Sequence, residues 1–279
     1  MFAAAIIVFR ESLEAALIIS IMMAATRGLA MRNRWVLGGI VAGLGGASIV
    51  ASGMQIIANM FDSIGQELFN VGILLTAMAM LAWHNIWMAS HGRELAQQMK
   101  NTARAVTDGR SEHSVILLVI ALAVMREGSE TVLFLYGVAT DSANGLQNTV
   151  AGGTLGLAAA ALVATLLYAG LLRIPVRWFF AATSALVLLL AASMASQAAR
   201  ILIQADLLPS LATPIWDTSN VLAQNTVAGT ILHGLIGYDA QPAGMQLVAY
   251  LGVLIVIALG MLWVSRRTTG SLTTSVESG

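Results

Sequence analysis

Two short segments of this chain pair an arginine with two glutamates in one pattern. Arg10-Glu11-Ser12-Leu13-Glu14 and Arg126-Glu127-Gly128-Ser129-Glu130 each read R-E-x-x-E. On a helix, positions i and i+3 share a face, so Glu11 projects with Glu14, and Glu127 with Glu130. Arg10 and Glu14 are i,i+4 neighbours, as are Arg126 and Glu130. Four carboxylates and two guanidinium groups leave a formal surplus of two negative charges. A multivalent cation would offset it. Carboxylate oxygens are hard ligands and suit hard ions such as magnesium, calcium, manganese or ferric iron.

The segments that must position these residues are apolar and long. Hydrophobic residues make up 58% of the chain and charged residues 10%, with mean hydropathy +0.81. A bilayer crossing takes about 20 mostly apolar residues. Seven stretches qualify, near 2–25, 35–60, 68–90, 114–139, 149–172, 178–203 and 245–264. Each is too long and too continuously apolar for a barrel strand. The expected fold is therefore all-α and integral to a membrane, with seven transmembrane helices. Each motif sits well inside its helix, starting about 12 Å in for the first and about 18 Å in for the second at the α-helical rise. A charge at that depth costs roughly 2.5–3.5 kcal/mol, which makes both motifs functional candidates.

Eleven of the fourteen Lys and Arg lie between stretches 1 and 2 (Arg27, Arg32, Arg34), 3 and 4 (Arg93, Lys100, Arg104, Arg110), 5 and 6 (Arg173, Arg177), or after stretch 7 (Arg266, Arg267). Positive residues mark the cytoplasmic side, which places the N-terminus outside and the C-terminus inside. The opposite loops carry Asp62, Glu67, Asp141, Asp206, Asp217 and Asp239. These acids could concentrate cations at an entrance or dock a partner; equally, outer loops simply avoid Lys and Arg. The first stretch lacks a basic n-region, so it does not read as a cleaved signal. With no cysteine, thiolate metal sites are excluded.

Stretches 1–3 (about 1–91) and 4–6 (about 114–203) read as two copies of one unit. Each copy opens with the charged motif and continues with a small-residue pair at four-residue spacing, Gly39 and Gly43 in one and Gly152 and Gly156 in the other. Three helices per copy is odd, so the second copy crosses in the opposite sense, as in many secondary transporters. The expected organisation is a single transmembrane domain over 1–267. An outer loop near 204–244 precedes the seventh helix, and a flexible cytoplasmic tail covers 268–279. The short apolar run 227–238 is expected as an interfacial or re-entrant helix.

The paired motif in a seven-helix protein resembles the oxidase-dependent iron permeases, the iron/lead transporter family of fungi and bacteria. The likeness extends through Glu127-Gly128-Ser129-Glu130-Thr131-Val132-Leu133-Phe134, Trp216-Asp217-Thr218-Ser219 and Leu232-His233-Gly234-Leu235-Ile236-Gly237-Tyr238. Between its glutamates the family has Gly then Leu, where this chain has Ser12-Leu13 and Gly128-Ser129. The resemblance implies a high-affinity permease of the cell inner membrane that moves iron inward and is not an enzyme. It implies Glu11, Glu14, Glu127 and Glu130 as iron ligands supported by Arg10 and Arg126. Iron, ferric or ferrous, would be cargo rather than a permanent cofactor. An extracytoplasmic oxidase or peroxidase and an iron-binding delivery protein would be partners alongside the lipid bilayer; no nucleic acid is expected.

Secondary candidates are Ser12 and Ser129 as hydroxyl ligands, Asp217 at the outer face, and His84, His91 and Glu94 as an inner cluster, read as solvated, that could take a leaving cation. The alternatives are a permease for another cation such as manganese or lead, or an intramembrane di-iron oxidase. Helical di-iron sites use Glu-x-x-His, and no E-x-x-H occurs in the chain.

Overall fold

The computed structural model describes residues 1–29, 31–58, 63–139, 145–168, 176–224 and 226–274. Eight helices are found among them: α1 (Phe2–Ala25), α2 (Arg32–Ala58), α3 (Ser63–Thr107), α4 (Ser114–Ala139), α5 (Gly145–Tyr168), α6 (Val176–Gln204), α7 (Val227–Ile236) and α8 (Gly244–Thr274). A helix satisfies its own backbone polar groups, which an apolar environment requires. Helices α2, α3, α5, α6 and α8 each hold a segment long and apolar enough to cross a membrane. Helices α1 and α4, at 24 and 26 residues, match them in length, but each carries the three charged residues of a motif.

The sequence expectation needs two adjustments. Helix α3 is 45 residues long rather than ending near residue 90, so Arg93, Lys100 and Arg104 ride on a helix and not in a loop. Helix α8 continues to Thr274, through the first residues expected as a flexible tail. The short apolar run before it is a helix of ten residues, α7. Asp62, Asp141, Arg173 and residues 275–279 lie outside the described residues.

The chain packs as two units. The first holds α1, α2, the end of α3 from Arg93, α4 and α5; the second holds α3 up to Gly92, α6, α7 and α8.

In the first unit a core of Met22, Val36, Ala103, Val106, Ile116, Ile120 and Val124 joins the end of α1, the start of α2, the end of α3 and the start of α4. The α3 extension exists because Ala103 and Val106 bury fully there. The Thr107 hydroxyl donates to Ala25 O at 3.3 Å and Ala103 O at 3.0 Å. Gly109, at φ +73°, then turns the chain back, and the Arg110 amide donates to Ala105 O at 2.8 Å.

Glycines set the closest helix contacts. A Cβ on Gly39 of α2 would stand 2.8 Å from Leu117 O and 2.9 Å from Ile120 Cβ of α4; one on Gly43 would stand 2.8 Å from Ala121 O and 2.7 Å from Val124 Cβ. On α5, a Cβ on Gly152 would meet Met1 O and Ala4, and one on Gly156 would meet Ala5 O and Phe9 N of α1. The two contacts correspond residue by residue. The shift that carries Arg10 onto Arg126 (126 minus 10, or 116) also carries Met1, Ala4 and Ala5 onto Leu117, Ile120 and Ala121. Gly39 and Gly43 go onto Gly152 and Gly156 by one common shift of their own (152 minus 39, or 113).

In the second unit, Asn85 Nδ2 of α3 donates to Ser184 O of α6 at 3.0 Å. Gly260 of α8 lies against Ile86 of α3, and Gly237, at the end of α7, against Ser193 of α6. Tyr250 of α8 donates to Ile236 O of α7 at 2.7 Å.

The glycine contacts carry a test. G43V pushes a branched side chain into backbone and is expected to lower stability by on the order of 1–3 kcal/mol, read as a reduced monodisperse fraction in detergent. G53A should match wild type, because Gly53 has nothing within 4 Å. A G43V protein that purifies like wild type would contradict the packing of α2 on α4.

Candidate metal centre

Both motifs fold as continuous helix, so their side chains take the positions that helical spacing dictates. On α1, Arg10 uses two nitrogens on two carboxylates. Nη1 stands 3.0 Å from Glu11 Oε1 and Nη2 stands 3.0 Å from Glu14 Oε1. All three residues are buried, with Arg10 only 1% exposed. On α4, Arg126 Nε stands 3.0 Å from Glu130 Oε1 and 4.0 Å from Glu127 Oε1. Glu127 and Glu130 are buried.

The structure brings three of the four motif glutamates to one point. A carboxylate oxygen from each of Glu11, Glu127 and Glu130 lies within 4.8 Å of the others. Glu14 meets its arginine on the same buried face of α1. Glu127 Oε2 is buried without a hydrogen-bond partner, although a buried carboxylate oxygen left unpaired is expensive. Converging hard oxygens with an unsatisfied acceptor are what a hard cation would complete. Gly128, between the second motif's glutamates, has a local cause: a Cβ there would stand 2.7 Å from Ala47 Cβ of α2. Glycine lets α4 carry its glutamates close to α2.

The secondary candidates differ in burial. Ser12 and Ser129 are half-buried on the motif helices. His84 is buried in the second unit rather than solvated. His91 is exposed, stacks on Trp87 at 5.2 Å between ring centroids, and sits 3.3 Å from Trp87 O through Nδ1. Glu94 is exposed, with Gln98 Nε2 3.5 Å from its carboxylate.

Asp217 belongs to a hydrogen-bonded segment between α6 and α8 in the second unit. Its Oδ1 accepts from the Ser219 amide at 2.9 Å and the Ser219 hydroxyl at 2.5 Å, and its Oδ2 from Gln241 Nε2 at 2.8 Å. Trp216 Nε1 donates to Asp239 O at 3.3 Å. The Ile215 and Thr218 amides donate to Pro242 O and Ala240 O, each at 3.0 Å. Tyr238 donates its hydroxyl to Leu222 O at 3.0 Å, and His233 Nδ1 lies 2.7 Å from Tyr238 O. Gly237 at φ +71° ends α7. The Trp-Asp-Thr-Ser and His-Gly-Leu-Ile-Gly-Tyr stretches thus fasten this segment to itself. Spacing in the sequence gave no sign of this pairing, because its partners stand about twenty residues apart.

The model of the iron permease FTR1 family matches residues 1–272. The chain belongs to that family. Members of the FTR1 family are permeases, so the protein is a transporter and not an enzyme, and its apolar helices make it a multi-pass membrane protein. It is 31% identical over 260 residues to a protein named ferrous iron permease EfeU from Escherichia coli O6:H1 (strain CFT073), covering 91% of this chain and 93% of that one. It is 30% identical over 276 residues to ferrous iron permease EfeU of Yersinia pestis, covering 97% and 96%. No solved structure matches it.

The segment around Asp217 can be tested by pH. Hydrogen bonds from Ser219, then Gln241, hold the exposed Asp217 carboxyl below its ordinary value of 3.8. A depressed carboxyl stabilises the folded form above its unfolded pKa and loses that contribution only as pH falls through the lower folded value. D217N is expected to raise proteolytic cleavage within 205–226 severalfold at neutral pH, while wild type stays protected down to about pH 4. Loss of wild-type protection between about pH 6 and 5 would contradict that assignment.

Proposed function

We propose that the protein is a high-affinity iron permease of the cell inner membrane. It moves iron inward through a site built from Glu11, Glu14, Glu127 and Glu130, with Arg10 and Arg126 as their counter-charges. The observation that carries this reading is the convergence of buried carboxylates from both motif helices on one point. Membership of an iron permease family supports iron as the cargo. Relatives named as ferrous iron permeases favour the ferrous ion on entry.

The chain works as one transmembrane permease in which α1 and α4 cross the membrane along with α2, α3, α5, α6 and α8. Helices α1–α3 and α4–α6 form an inverted repeat. The paired glycine contacts support it, since α2 meets α4 at the positions where α5 meets α1. The distribution of basic residues supports an outer N-terminus and an inner C-terminus. Iron sheds water at the carboxylates, and the two repeats expose the site to each side in turn. Neither an ATP-binding loop nor a cysteine couple is present in the sequence. Oxidation and delivery therefore fall to an extracytoplasmic oxidase or peroxidase and an iron-binding protein.

Radioactive iron uptake into proteoliposomes tests the reading, with ferrous and ferric ion supplied separately. E14Q and E130Q, at matched amounts of folded protein, are expected to lose at least about tenfold in uptake, as losing even an outer partner of a metal ligand costs about that much. Normal transport by both variants would make the glutamates structural. Manganese or lead that outcompetes iron would move the assignment to that cation.

A further inference from the structure

The end of the first unit where α1, α2, α3 and α4 meet also collects positive charge. Residues 27–35 and 97–107 hold Arg27, Arg32, Arg34, Lys100 and Arg104 and no acid. Arg32 is used locally. Its Nη1 donates to Met23 O at 3.1 Å, one of the carbonyls that a helix end leaves open, and its Nε donates to Asn33 Oδ1 at 3.3 Å. The other four are exposed. None of them has an ion-pair partner among the described residues, whereas nearby Arg110 is paired with Asp108 at 2.6 Å.

The fold fixes where these charges stand. Ala103 and Val106 of α3 bury in the same core as Met22 of α1, Val36 of α2 and Ile116 of α4. The Thr107 hydroxyl donates to Ala25 O at 3.3 Å, fastening the end of α3 to the end of α1. Lys100 and Arg104 are i,i+4 neighbours and share an exposed face of α3. Arg27 follows the end of α1, and Arg34 lies in the first turn of α2. All four therefore stand at the rim of one small core, placed by packing before any ligand arrives. Preorganisation of that kind lowers the cost of binding.

Exposed, unpaired cations with no acid among them suit phosphate groups. Their depth decides the source. The membrane-spanning segment of α2 opens at Arg32, so the turn that carries Arg27 and Arg34 sits where an apolar span meets water. That is the level of lipid headgroups. Trp35, half-buried beside Arg34, is a side chain that favours the same level. We propose that this end of the first unit binds the headgroups of anionic lipids. Arg27 and Arg34 contribute from the α1–α2 turn, Lys100 and Arg104 from the end of α3. On the proposed orientation these are lipids of the cytoplasmic leaflet, whose negative surface attracts each nearby Lys or Arg. A bound lipid then ties the α3 extension to the turn after α1, the helix of the first motif. The inference goes beyond the iron reading and does not depend on the cargo.

Binding of phosphatidylglycerol to the full-length protein in nonionic detergent tests it, read by native mass spectrometry and by thermal unfolding, with phosphatidylcholine as the uncharged comparison. K100Q/R104Q is expected to bind phosphatidylglycerol on the order of tenfold more weakly. It should also lose the rise in unfolding temperature that this lipid gives wild type, while unfolding like wild type without lipid. R27Q/R34Q should shift in the same direction. D108N/R110Q removes an exposed pair at constant net charge and should bind as wild type does. Salt raised from about 0.1 M to about 1 M should weaken binding, because the screening length falls from about 10 Å to about 3 Å. If phosphatidylcholine binds wild type as tightly as phosphatidylglycerol, or if both arginine and lysine double variants keep wild-type binding, the proposal is overturned. If inorganic phosphate raises the unfolding temperature as much as the lipid does, the patch is a soluble-phosphate site and the lipid assignment falls. No iron is present in these measurements, so their outcome is separate from that of the uptake assay.

Discussion

Charge neutralisation inside apolar helices is the constraint on which the rest of this molecule depends. Each motif sets three ionisable side chains in a segment that otherwise reads as membrane-spanning. At roughly 2.5–3.5 kcal/mol per charge, that burden is tolerable only when the charges answer one another. Helical geometry supplies the first answer, since R-E-x-x-E puts a guanidinium beside one carboxylate and one turn below another. Arg10 uses both neighbours. Neither motif supplies the rest, because each keeps one carboxylate in excess. Bringing α1 and α4 together gathers carboxylates of both motifs into one buried group.

Close helix approach is what makes that gathering possible. Lipid tails are as apolar as leucine, so helices in a membrane associate by packing and not by expulsion of water. The glycine pairs let backbone touch backbone where α2 meets α4 and α5 meets α1. Gly128 extends the approach to the motif itself, against Ala47. A side chain at any of these points would move a motif helix outward and loosen the carboxylate cluster. In this protein the small residues and the charged residues solve one problem together.

Much of this was legible in the sequence, for physical reasons that differ by element. Apolar runs of membrane length report helices directly, and α1, α4 and the short α7 lie where hydropathy places them. The motif residues were legible because charge in an apolar run is costly and therefore informative. The extension of α3 past residue 90 was not. Its polar, basic surface reads as a loop, and only Ala103 and Val106, buried against Met22 and Ile120, make it a helix. His84 was misread as solvated for a related reason: hydropathy does not say which face of a helix end is covered. The segment between α6 and α8 was legible as a family pattern but not as a structure. Asp217 finds Gln241 across 24 residues, a pairing with no periodicity to betray it.

The difference in how the two arginines are held was invisible in the sequence, because the same charged residues at the same spacing predict like sites. It arises from what each helix packs against, and it bears on what a permease must do. A cation site that only binds is a trap; conduction needs binding strong enough to admit the ion and weak enough to release it.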